Sequence, residues 1–146
     1  MGKIQQIRDR LAAANAQVVE ERLLEIVRKA DAEFIKLNQK QLFAGVDSND
    51  KLLRPPYRSD SYARYKLTLN PAGVVDLKLT GDFWKGFFLS AQNFPVFLGG
   101  AEEKTRDLMN KYGEDIFGLD KKNLGLVSKE TIRPKLAEYY RGLIHV

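Results

Sequence analysis

The sequence predicts an α+β fold: a long N-terminal amphipathic helix packed on a small antiparallel β-sheet, followed by short C-terminal helices. Apolar residues recur at helical spacing from Lys3 to about Phe43, alternate with polar ones after Gly73, and return to helical spacing after Gly99 and Gly100. A helix and a sheet that are each apolar on one side bury those sides against each other. At 146 residues, 44% of them hydrophobic, the chain has enough apolar surface for one core. The expected organisation is one domain over 1–146, with a long helix at 1–44, an extended loop at 45–73, a sheet at 74–100 and C-terminal helices at 101–146.

The helical stripe runs through Ile4, Ile7, Leu11, Ala14, Val18, Leu23, Val27, Ala30, Phe34 and Leu37. Its three-and-four rhythm slips between Val18 and Leu23, so a break near Asn15 is open, with Asn15 capping a second segment. Gly45 ends the helix. Between 45 and 73 lie Gly45, Asp47, Ser48, Asn49, Asp50, Pro55, Pro56, Asn70, Pro71 and Gly73, which punctuate rather than propagate regular structure. That predicts a long irregular connection, with Tyr62 to Leu69 as one helical turn or an edge strand.

Val75, Leu77 and Leu79 alternate with Asp76, Lys78 and Thr80, the pattern of a half-buried strand. Thr80, Gly81 and Asp82 make a turn. The runs Phe83 to Ala91 and Phe94 to Leu98 supply two further strands, joined tightly at Gln92 and Asn93, for a sheet of about three strands. A helix over Ala101 to Tyr112 closes at Gly113. Asp115 to Asp120 is too apolar for an exposed loop and should plug into the core. Ser128 is placed to cap a last helix over Lys129 to Leu143, with Pro134 in its first turns. The core expected from these elements joins Val27, Phe34 and Leu37 to Leu77, Leu79, Phe87 and Leu89.

The side-chain inventory narrows function. The sequence has no cysteine, so disulfides and thiolate metal sites are excluded. Its single histidine, His145, stands where preorganised catalysis is hardest to arrange. Asp47, Asn49 and Asp50 begin like a calcium loop, but Lys51 and Leu52 stand where a ligand and a glycine are needed. No phosphate-cradling glycine loop or nucleophile elbow is present. Acids such as Asp76 with Asp82, or Glu114 with Asp115, read as turn and cap residues rather than a catalytic pair. The expectation is a protein that is not an enzyme and that takes no cofactor or metal. The first apolar residues are too sparse for a signal peptide or membrane span, so no membrane partner is expected. The formal charge of +5 raises nucleic acid as an alternative partner, yet bases and acids are interspersed along the chain.

The order of the middle motifs adds a resemblance. A helix ends at Gly45 with Asp47 and Ser48 just beyond; Tyr57 follows, then Tyr65 and Lys66, then Val75-Asp76-Leu77-Lys78-Leu79-Thr80-Gly81-Asp82-Phe83. Over roughly residues 20 to 100, this resembles the virion-morphogenesis, or tail-completion, family of tailed bacteriophages. In that family a long helix leads to a Gly-x-Asp loop, then to a Tyr/Lys stretch, and a Leu-x-Thr-Gly turn opens the sheet. The chain departs from the pattern with Asn49 and Asp50 after the first loop Asp, and with Asp82, Phe83 and Trp84 after Thr-Gly. The resemblance implies a virion structural protein of the head-tail neck or connector, assembled in the host cytoplasm. Its partners would be other phage structural proteins and identical copies in a homo-oligomeric ring.

Within that reading Gly45, Thr80 and Gly81 are the structural turn residues, and Tyr57, Tyr65, Trp84 and Phe88 the candidate protein-interface residues. Phe83, Trp84, Phe87, Phe88, Phe94 and Phe97 supply more aromatic surface than a three-stranded sheet buries on one face, so some should face outward. Trp84 is the natural anchor, because tryptophan is enriched at binding hot spots. The 45–73 loop is expected to be mobile in the isolated monomer and to serve protein contacts.

Overall fold

The computed structural model describes residues 2–78 and 81–145. Its architecture is α+β, with more helix and less sheet than the sequence suggests.

The long N-terminal helix is three helices: α1 Lys3–Ala13, α2 Ala16–Lys29 and α3 Asp31–Phe43. The first break falls at Asn15, whose side chain accepts a hydrogen bond from the Val18 amide at 3.1 Å, satisfying one donor at the start of α2. The second falls at Ala30, where the Ala30 amide bonds back to the Val27 carbonyl in a tightened turn. The Asp31 carboxylate there accepts from the Ala32 amide, at the end of a helix that favours negative charge. The chain after Gly45 is not a bare loop: it contains α4, Asp60–Leu69, capped by Ser59.

The three-stranded sheet reduces to a hairpin. Strand β1, Phe87–Ser90, pairs antiparallel with β2, Phe97–Gly100, in the register Phe87 to Gly100 and Leu89 to Leu98. The segment from Val75 is irregular: Leu77 has φ +58 and the Asp76 carboxylate takes the Lys78 amide that a strand would give to its neighbour. Leu79 and Thr80 lie outside the described residues. Asp82–Lys85, expected as the end of a turn at Asp82 and a strand from Phe83, is a single helical turn, α5. Gly81 ahead of it has φ +88, the left-handed conformation that glycine adopts most easily.

After the hairpin come α6, Thr105–Tyr112, a 3₁₀ turn at Glu114–Ile116, α7, Lys121–Val127, a π turn at Ser128–Ile132, and α8, Arg133–Ile144. The cap is Asp120, accepting from the Asn123 amide at 2.8 Å, and not Ser128, which lies inside the continuous helical run. The apolar stretch 115–120 does enter the core through Ile116 and Leu119.

The buried apolar residues form two clusters joined through α3. One gathers Leu24, Val27, Phe34, Leu119 and Val127, with Leu37 and Leu89 packed against it. The other gathers Leu42, Leu53, Val75, Phe83, Phe87 and Ile116, with Leu77 against it. The expected core is therefore split: Val27, Phe34, Leu37 and Leu89 stay together, while Leu77 and Phe87 belong to the second cluster. Helix α1 contributes no buried residue and lies along α8.

Candidate functional site

Two features stand apart from the apolar framework. The first is a buried polar network assembled from the segment between α3 and α5. Lys66 on α4 and Asn70, the residue that ends it, project together toward Asp76, and all three side chains are sealed from solvent. Lys66 Nζ donates to Asp76 Oδ1 at 2.6 Å and also to the Lys78 carbonyl. Asn70 Nδ2 donates to Asp76 Oδ2 at 3.0 Å and to the Phe43 carbonyl at 2.8 Å, tying α4 to the end of α3. The Tyr57 hydroxyl stands 3.4 Å from the Asp76 amide nitrogen and 3.5 Å from Oδ1. Burial pushes the Tyr57 phenol well above its ordinary value, with the Asp76 charge adding to the shift, and burial also raises Tyr62.

A charge pair in this setting stands only because its remaining hydrogen-bonding capacity is filled. The network ties residues 57–78 to the end of α3, taking in much of the 45–73 loop that the sequence suggests is mobile. Asp47 adds a local clamp, accepting from the Asn49 and Lys51 amides at 2.9 and 3.0 Å. Ser48 and Asn49 reach across to Asp115.

The second feature is an apolar groove of about 730 Å³ between the hairpin, α2 and α7. Leu23 and Val27 form its floor with Phe34, and Phe94, Phe97 and Leu124 stand on its edge, each more than 40% exposed. Glu114 and Asp115 border it.

The residues nominated from sequence fall into different places. Gly45 has φ +80, and a side chain there would meet Val74 Cβ at 2.5 Å. Gly81 has the positive φ but open space around it; Thr80 lies outside the described residues. Tyr57 is half-buried in the polar network, and Tyr65 is half-exposed beside Tyr62. Trp84 is not an exposed anchor: it is half-buried, edge-on to Phe43 with Lys78 Nζ 4.8 Å over its ring, so packing already uses much of its surface. Phe88 is exposed and lies across its β2 partner Gly99. None of these four lines the groove.

Sequence reasoning missed Asn38 and Gln41, both buried on α3. Asn38 donates to the Ile116 carbonyl at 3.0 Å and accepts from the Gly118 amide at 3.2 Å. Gln41 donates to the Gly118 carbonyl and accepts from the Asp120 amide at 2.8 Å. Their signal was polar residues at a spacing of three within the buried side of a helix. No protein-family model, curated protein or solved structure matches this chain.

Proposed function

We propose that the chain is a virion structural protein of a tailed bacteriophage, a subunit that joins or completes the head-tail neck or tail. It works through contacts with identical copies and neighbouring structural proteins, and without catalysing a reaction. The observation that carries this reading is the groove: Phe94, Phe97 and Leu124 stand at the edge of one concave surface. A contiguous apolar surface of that kind supports a binding role, and a protein partner is the occupant this reading assigns to it. The motif resemblance supports the same reading, since Tyr57, Lys66 and Asp76, quoted for it separately, share one network. The test is made on particles of the phage that encodes the chain. Multiple copies should copurify with assembled particles, and loss of the gene should leave heads and tails unjoined. Complete particles that lack the chain would overturn the reading.

A second reading, as a nucleic-acid-binding accessory, draws on a smaller cleft of about 260 Å³ where Lys78, Lys104 and Lys111 meet Tyr57, Tyr62 and Tyr112. Aromatic rings beside lysines can hold bases and phosphates, although Asp82 and Glu102 line the same cleft. Duplex or single-stranded DNA binding that weakens steeply with salt would favour it.

A further inference from the structure

We infer that the groove receives helix α1 of a second copy of this chain, in a head-to-tail contact whose repetition builds a ring. The inference rests on the assembly reading above and names its partner.

Helix α1 is apolar on one stripe yet holds no fully buried residue. Ile4 is 85% exposed and Leu11 43% exposed, with Ile7 between them half-buried. The helix cannot turn into its own groove without leaving its place, because it lies along α8 and Arg10 donates to the His145 carbonyl at 2.5 Å. Its outward residues Ile4 and Leu11 are two turns apart, about 10 Å along the axis, which is the anchor spacing of a helix laid into an apolar groove.

Charge fits the same occupant. Helix α1 carries Lys3, Arg8 and Arg10 against the single acid Asp9. The groove is bordered by Glu114 and Asp115, both exposed. Apolar anchors flanked by cations thus face an apolar floor flanked by carboxylates, the complementarity that fixes partner and orientation. Because α1 and the groove are different patches of the molecule, the contact is heterologous, and such contacts close into rings when the rotation permits.

The test uses the full chain and two variants altered only at exposed positions, I4E/L11E on the helix and F94E/F97E on the groove. Both should keep the wild-type circular dichroism spectrum. By analytical ultracentrifugation the wild type should self-associate, and each variant alone should do so on the order of a hundredfold more weakly. Mixed, the two variants should form a 1:1 complex and nothing larger, because each supplies the half that the other lacks. A monomeric wild type would overturn the inference. Self-association that survives I4E/L11E would also overturn it, pointing to a groove-to-groove dimer. Groove uptake of an apolar dye without self-association would overturn it in favour of a small ligand. If the chain is in particles and the I4E/L11E phage assembles normally, this inference fails while the particle reading stands; an oligomer of a chain absent from particles does the reverse.

Discussion

At the scale of single residues, the fully buried Lys66–Asp76 pair is the most consequential feature. Breaking a buried pair strands the remaining charge, whereas replacing both partners removes the desolvation problem along with the attraction. Lys66→Met or Asp76→Asn should each cost about 3–5 kcal/mol, and the double variant clearly less than their sum; chemical denaturation in a double-mutant cycle checks this. Tyr57 adds a pH dependence. Its folded pKa lies above the unfolded value of about 10, so the folded state holds its proton when the unfolded state has released it. Stability from this group is therefore intact below pH 10 and falls as pH rises from there toward the folded pKa. Tyr57→Phe should flatten that decline, read as denaturation midpoints across pH 9–11. The two turn glycines should respond differently to alanine. At Gly81 only the left-handed backbone is penalised, by about 1–2 kcal/mol, whereas at Gly45 the new methyl also collides with Val74. Gly45→Ala should be the more destabilising of the two in thermal melts.

At the scale of elements, the helices owe their ends to specific side chains and their positions to packing. Asn15 makes the break between α1 and α2, so Asn15→Ala should lower stability by about 0.5–2 kcal/mol without shifting the core. Phe34 sits in the first cluster, 8% exposed, at the foot of the groove. Phe34→Ala should cost about 3–5 kcal/mol and lower the melting temperature by several degrees. A wild-type melt would show that this side of α3 is not core. The hairpin explains why a short sheet is enough: β1 packs against α3, and the Asn38 and Gln41 amides of that helix hold the 116–120 turn in place of another strand. Helices α1 and α8, neither with a buried residue, should exchange their amide protons fastest of the long helices, and α1 should slow when the chain self-associates.

At the scale of the whole molecule, the apolar clusters meet through α3, while the outer surface keeps an apolar hollow and, on α1, the exposed Ile4 and Leu11. Placing α1 of one copy in the groove of the next accounts for both with a single contact. Since the α1 cations, Lys3 foremost, would face Glu114 and Asp115 only at its rim, added salt should slow association more than it speeds dissociation. Stopped-flow mixing at about 0.05 and 0.5 M salt separates the two rates. A dissociation rate that rises steeply with salt would mean that the charges, and not Ile4 and Leu11, carry the contact.

Much was legible in the sequence by itself. Apolar spacing determined that residues 3–43 are helical, because burying one stripe requires period 3.6 wherever the chain runs on. Asn15 and Gly81 declared a cap and a turn, since few residues satisfy those local geometries. Only the tertiary structure decided what the alternation at 75–79 means. Asp76, which as a strand residue would have faced water, is drawn inward by Lys66 on α4 and by Asn70 at its end, and its carboxylate takes the Lys78 amide. Period two records which side chains seek burial, not whether a neighbouring strand exists to accept the backbone hydrogen bonds. The split core and the groove were hidden for the same reason: which apolar faces meet, and which are left for another molecule, depends on contacts far apart in the chain.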